Sequence, residues 1–273
     1  MRSRTRSISP RNPAGNGPIS RRAFCAALGI GALGSAAVSC RMGDSLTSDT
    51  KGARLTARPR PPSGTITAGL HRLLPADPTC FLLVPQRYQP AQSVPLVAAL
   101  HGAGGTAEGP LTFLGPYAES DGFLLLVPES RGATWDAILD SYGPDIATIN
   151  AGLRIAFDRA AVDPERVCLE GFSDGASYAL GVGILNADLF PRVVAFSPGF
   201  ITPTEFQTRK PSVFVSHGRQ DPILPIDLAS RVIVPELRRA NVTVEYVEYE
   251  GVHSVPPTVA RAGIDFVMRS PAA

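Results

Sequence analysis

The sequence predicts an α/β domain built on one doubly wound, mostly parallel sheet of about eight strands with an antiparallel start. Three observations carry this expectation. From residue 64 onward, short apolar runs alternate with longer helical patterns. The runs Leu96-Val97-Ala98-Ala99-Leu100 and Phe123-Leu124-Leu125-Leu126-Val127 are continuously apolar, as strands covered on both faces of a parallel sheet must be. The first two strand candidates follow one another with no helical pattern between them, which calls for an antiparallel hairpin.

Taken in order, strands are expected at 69–74, 79–84, 96–100, 123–127, 167–170, 193–196, 213–216 and 242–249. Helices are expected at about 145–158, 174–186, 227–240 and 255–269. The pattern at 174–186 is rich in Ala and begins at once after a strand, while Asp227 suits the capping position of the next helix. Between the strands ending near Phe196 and starting near Val213 lie only some fifteen residues, so no large lid is expected. There is no internal repeat, and 64–273 reads as one domain.

Composition separates this body from what precedes it. The formal charge of +2 over 273 residues hides two unlike parts. Residues 1–62 carry 11 Lys and Arg against 2 Asp and Glu, whereas 63–273 carry 15 against 22. An acidic body argues against a nucleic-acid partner. The basic part reads as an export leader over 1–40, followed by a flexible linker over 41–63 rich in Arg, Thr, Pro and Gly. Arg21-Arg22 directly before the uncharged Ala- and Gly-rich stretch, with Phe24 just beyond, resembles a twin-arginine signal. That stretch is short and weakly apolar for a membrane span. Ala37-Val38-Ser39-Cys40 resembles a bacterial lipobox, which would place a lipid anchor on Cys40; ordinary cleavage nearby is the alternative. Gly29-x-Gly31-x-x-Gly34 copies a dinucleotide-binding string but follows no strand, so it carries no function. Only Cys80 and Cys168 remain in the body, both in apolar runs, and no spacing suggests zinc.

The chemistry is concentrated in a few positions. Gly171-Phe172-Ser173-Asp174-Gly175 is a G-x-S-x-G string at the junction of a strand and a helix. In that setting the Ser sits in a tight turn with its Oγ above the sheet, and glycines two places on either side let the two backbones approach. The N–H of Asp174 would stand at a helix N-terminus, where a donor can meet an oxyanion. A hydroxyl nucleophile needs a base, and the base needs an orienting acid. Of the four histidines, His253 follows Ser173 in a turn between the last strand and the last helix. Asp221 follows the strand 213–216 in His217-Gly218-Arg219-Gln220-Asp221; Asp227 and Glu250 are rival acids. A second oxyanion donor is expected from His101-Gly102-Ala103-Gly104-Gly105, with Ala103 as the choice and His101 bonded within the loop. Trp135, Tyr142 and Phe113, all taken as loop residues, are either acyl-pocket walls or core.

Together these motifs resemble the α/β-hydrolases, and among them the phospholipase/carboxylesterase and polyhydroxybutyrate-depolymerase-like esterases. The likeness extends over about residues 66–270. It departs where relatives often carry Gln and then Gly-Gly after the nucleophile, since this chain has Asp174, Gly175 and Ala176. The resemblance implies a serine esterase acting through an acyl-enzyme on Ser173, with Asp221 and His253 completing the triad and the N–H groups of Ala103 and Asp174 holding the oxyanion. No metal or organic cofactor is implied. Small-molecule or polymer-end esters are the expected substrates, met after export across the bacterial cytoplasmic membrane. An acyltransferase or a peptidase using the same triad remains an alternative, and a non-catalytic envelope binding protein a remoter one.

Overall fold

A computed structural model describes residues 50–75 and 79–270. The leader, its Arg21-Arg22 pair and Cys40 lie outside the described residues.

One eight-stranded sheet organises the chain: β1 (Gly69–Arg72), β2 (Cys80–Val84), β3 (Val94–Leu100), β4 (Leu124–Pro128), β5 (Val162–Phe172), β6 (Arg192–Phe196), β7 (Ser212–Gly218) and β8 (Thr243–Tyr249). Their order across the sheet is β1-β2-β4-β3-β5-β6-β7-β8. β1 pairs antiparallel with β2, and β2 antiparallel with β4. All remaining pairs are parallel, which bears out the fold read from the sequence. β5 starts five residues earlier than expected. Its register jumps, with Val94 facing Val162 but Leu96 facing Val167, so the polar Asp163–Arg166 stretch bulges out before the apolar run resumes.

Continuous apolar strands have a direct cause here. Leu96, Ala98 and Leu100 face one core while Val97 and Ala99 face another, and all are buried. The first core is covered by α3 (Pro144–Arg159), α4 (Asp174–Leu185) and α5 (Ser230–Arg239), with the short α2 (Asp136–Leu139) beside them. The second is covered by α1 (Glu108–Asp121) and α6 (Pro257–Met268).

Three expectations need correction. α1 was not expected, because Gly109, Pro110, Gly115 and Pro116 disguise its pattern. Pro110 lies in the first turn, where its missing N–H costs nothing. Pro116 does interrupt the ladder, but Leu114, Gly115 and Ala118 are buried under the helix, and Gly122 closes it at φ 80°. Asp227 caps no helix; it sits in a 3₁₀ turn (Ile226–Leu228) and pairs with Arg231 at 2.7 Å. Part of the stretch read as a linker is packed: Ala53, Leu55 and Ala57 are buried against the first core. Asn186 Oδ1 accepts from the Leu55 N–H at 2.9 Å and Asn186 Nδ2 donates to Ala53 O at 3.0 Å. Asn150 Oδ1 accepts from the N–H groups of Thr56 and Ala57. The alternation of buried and exposed residues makes this a strap across α3 and α4.

Cys80 and Cys168 are both buried and free, one in each core. Among the described residues no helix is long and apolar enough to cross a membrane.

Candidate active site

β5 ends at Phe172 and α4 begins at Asp174, so Ser173 alone makes the turn, at φ 57° and ψ −119°. A left-handed φ costs a non-glycine residue about 1–3 kcal/mol and persists only where its surroundings hold it. Here the Ser173 N–H donates to Phe196 O at 2.9 Å, tying the turn to the next strand. The flanking glycines are obligatory. A Cβ on Gly171 would stand 2.2 Å from the carbonyl oxygen of Gly175, and a Cβ on Gly175 would stand 2.3 Å from that of Leu100.

Three side chains from three elements meet at this turn. His253, in the loop after β8, has Nε2 2.8 Å from Ser173 Oγ and Nδ1 2.6 Å from Asp221 Oδ2. The carboxylate can only accept from Nδ1–H, which leaves Nε2 unprotonated and facing the hydroxyl. Phe172 stacks on the His253 ring, with centroids 4.8 Å apart. Asp221 Oδ1 accepts from the N–H groups of Ile223 and Leu224. Burial opposes ionisation of Asp221, but hydrogen bonds from His217, His253 and the Leu224 N–H outweigh it and hold the carboxyl well below the usual carboxylate range. The rival acids are elsewhere: Asp227 and Glu250 are exposed and paired with Arg231 and Arg219.

The acid and base loops are joined through their backbones. Arg219 N–H donates to Tyr249 O and Gln220 N–H to Gly251 O, each at 2.9 Å. Gly218 lies so close to this seam that a Cβ would come within 2.5 Å of the carbonyl oxygens of Gly251 and Val252.

On the other side of Ser173 lies the loop after β3. His101 Nε2 accepts from the Ser130 N–H at 3.1 Å, so Nδ1 carries the proton and donates to Gly102 O at 2.8 Å. With both nitrogens engaged, His101 holds the loop rather than acting as a base, as expected. Gly104 turns at φ 68° and its N–H donates to Ala133 O. Gly102 approaches so closely that a Cβ would be 3.3 Å from Ser173 Cβ. Ala103 follows it and lines the cavity beside His253. The N–H of Asp174 opens α4, and the first N–H groups of a helix have no partner within it. The Asp174 side chain is fully buried, its Oδ2 accepting from Thr134 Oγ1 at 2.5 Å. Burial raises its carboxyl above the ordinary range.

The expected aromatics divide. Trp135 and Tyr142 are core, and Trp135 Nε1 donates to His101 O at 2.8 Å, steadying the loop from below. Phe113 is on α1 rather than a loop and lines a cavity of about 410 Å³ next to His253. Among the lining residues not singled out from the sequence is one acid. Glu170, on β5, is 3% exposed, and burial pushes its carboxyl well above the ordinary range. An acid inside the otherwise apolar run Val167–Phe172 was the available signal. No cluster of three or more His, Cys, Asp or Glu among the described residues is placed to hold a metal ion.

Comparison with known proteins agrees with this fold. Residues 145–269 match the phospholipase/carboxylesterase family model. Over 170 residues the chain is 28% identical to a probable feruloyl esterase C of Aspergillus flavus, covering 60% of this chain and 61% of that protein's length. Among solved structures, the S-formylglutathione hydrolase of Staphylococcus aureus superposes with a TM-score of 0.57 at 14% identity, over 75% of this chain and 99% of that one. The esterase PE8 gives 0.54 at 16%, over 74% and 98%. Sheet order, the turn at Ser173 and these likenesses give this chain the α/β-hydrolase fold, and esterases are among the proteins it resembles in both sequence and structure.

Proposed function

We propose that the chain is a serine hydrolase that cleaves carboxylic esters. One observation carries the reading: the unbroken relay from Ser173 Oγ to His253 Nε2 at 2.8 Å and from His253 Nδ1 to Asp221 at 2.6 Å. Ser173 Oγ attacks the ester carbonyl carbon as His253 Nε2 takes its proton. Charge develops on the carbonyl oxygen, where the N–H groups of Ala103 and Asp174 receive it. Collapse of the tetrahedral species expels the alcohol, to which His253 returns the proton, and leaves an acyl ester on Ser173. Water, deprotonated by the same imidazole, then releases the acid and regenerates the hydroxyl. Asp221 keeps His253 in the required tautomer and stabilises the imidazolium without itself taking the proton.

Turnover of p-nitrophenyl acetate, butyrate and longer esters by the wild type and by Ser173→Ala tests this. The variant is expected to lose at least about 10³-fold in kcat. Undiminished turnover by Ser173→Ala would overturn the mechanism. The likeness to feruloyl esterases adds aromatic-acid esters to the panel.

We also infer that residues 1–40 direct export, on the strength of Arg21-Arg22 before the Ala- and Gly-rich stretch, and that the leader ends at Ala37-Val38-Ser39-Cys40 either by lipidation of Cys40 or by ordinary cleavage nearby, which palmitate labelling tells apart. Replacing Arg21-Arg22 by Lys-Lys should stop export. Cys40→Ser should abolish labelled-palmitate incorporation.

A further inference from the structure

Glu170 is an acid at the site that the hydrolytic cycle does not use, and burial shifts its carboxyl well above the ordinary range. It sits three residues before Ser173, and on β5 it pairs across the sheet with Ala99 on one side and Val194 on the other. Both neighbours are short and apolar, and both belong to the core beneath α1 and α6. Leu169 faces the opposite core, so the pleat sends Glu170 to the α1 side. There its side chain lines the 410 Å³ cavity together with Ala103, Phe113, Phe172, His253 and Val255. Among the described residues it has neither a hydrogen-bond nor an ion-pair partner. Phe113, Phe172 and Val255 supply none, and the two histidines that line the cavity are engaged elsewhere, His253 with Ser173 and Asp221 and His101 with Gly102 O and the Ser130 N–H.

A buried polar group with no partner costs about 1–3 kcal/mol relative to one that is satisfied. An ionised carboxylate in such a place would cost far more, and the environment offers no cation to offset it. Such a place favours the protonated form over the carboxylate, the direction in which burial moves the group. A neutral carboxylic acid offers one O–H donor and one carbonyl acceptor. It is aimed into a cavity that opens beside the oxyanion loop and the base.

Building on the hydrolase reading, we propose that Glu170 anchors the substrate, and that the ester substituent entering this cavity carries an uncharged oxygen group (a hydroxyl, ether or carbonyl) at the depth of its carboxyl. An alkyl chain would bury the acid unsatisfied. A cationic head would require the carboxylate form. The discriminating power of such a site comes from the group left unpaired when the wrong substituent enters.

Matched pairs of esters in which one CH₂ becomes an ether oxygen test this on either side of the scissile bond. p-Nitrophenyl 3-methoxypropanoate against p-nitrophenyl pentanoate varies the acyl part, and 2-methoxyethyl against butyl acetate varies the alcohol. Glu170→Met matches glutamate in length without its polar atoms, and Glu170→Gln keeps a donor and an acceptor. In one of the two pairs, the kcat/KM preference for the ether should fall about 10-fold in Glu170→Met, the size of one neutral hydrogen bond. Glu170→Gln should change it less than about 3-fold. An unchanged preference in Glu170→Met for both pairs would overturn the proposal. So would loss of preference in Glu170→Gln accompanied by wild-type selectivity for a trimethylammonium-bearing ester, which would mark an ionised anchor. Affinities of the same esters for Ser173→Ala, measured by calorimetry, read the anchor without turnover. Ether selectivity there with no catalysis in the wild type would fault the hydrolase reading alone; equal affinities would fault the anchor alone.

Discussion

His217 Nε2 lies 3.2 Å from Asp221 Oδ2, the same carboxylate oxygen that His253 faces at 2.6 Å. His217 is fully buried, and its Nε2 also donates to Leu224 O at 2.8 Å, while Nδ1 accepts from Ser230 Oγ at 2.7 Å. The acid is thus held between two imidazoles, only one of which meets the nucleophile.

This arrangement separates two losses. Asp221→Asn should lower kcat by about 10⁴-fold, because the wrong tautomer of His253 is then favoured. His217→Gln should lower it by only about 10-fold, the worth of one hydrogen bond to a charged group, with KM little altered. Steady-state kinetics on a short p-nitrophenyl ester checks both; equal losses would mean that His217 supports the fold rather than the carboxylate.

Asp221 and Glu170 set opposite trends with pH. Asp221 is held below its unfolded value, so the stability it contributes is present above about pH 3.9 and is lost as the pH falls through that value toward the native one. Glu170 is raised, so the native state binds more protons than the unfolded chain, and its contribution fades as the pH rises from about 4.3 toward the native value. Urea unfolding of the wild type and Glu170→Gln across that range should show the variant gaining relative stability with pH. A constant difference would contradict a neutral Glu170.

Glycines at the turn and in α1 should respond in opposite senses. Gly175→Ala meets backbone at 2.3 Å and should cost about 3 kcal/mol or more. Gly109 in α1 has no heavy atom within 4 Å of an added Cβ, so Gly109→Ala should stabilise by about 0.5–1 kcal/mol. Thermal melts of the two variants decide the matter.

The strap makes a further demand. Leu55→Ala empties a buried position and should cost about 2–5 kcal/mol. Asn186→Ala removes the amide that bonds Ala53 and Leu55, and should destabilise comparably to removal of residues 50–57. Removal of residues 50–57 without a change in melting temperature would show that the strap is dispensable.

These outcomes bear on how the sequence reads. Ser173 and its glycines were legible because close approach of strand and helix permits no other residues there. β3 and β4 were legible because burial on both faces leaves an unbroken apolar run. α1 was not, since Gly115-Pro116 speaks locally against a helix and only packing beneath Leu114 and Ala118 overrides it. The strap was missed because its small apolar residues alternate with Arg and Thr, and composition weighed more than the period of two. Glu170 was passed over for a related reason: an acid in a strand signals a site only once the cavity beside it is visible.

The seam between the loops after β7 and β8 has a consequence for how activity would fail. Asp221 and His253 ride on backbones bonded to one another, whereas Ser173 belongs to the β5–α4 turn, tied to β6. Gentle heating or denaturant would part the hydroxyl from a pair that itself stays assembled. Inactivation should then precede melting, and the imidazole of the silent enzyme would still be oriented by its carboxylate.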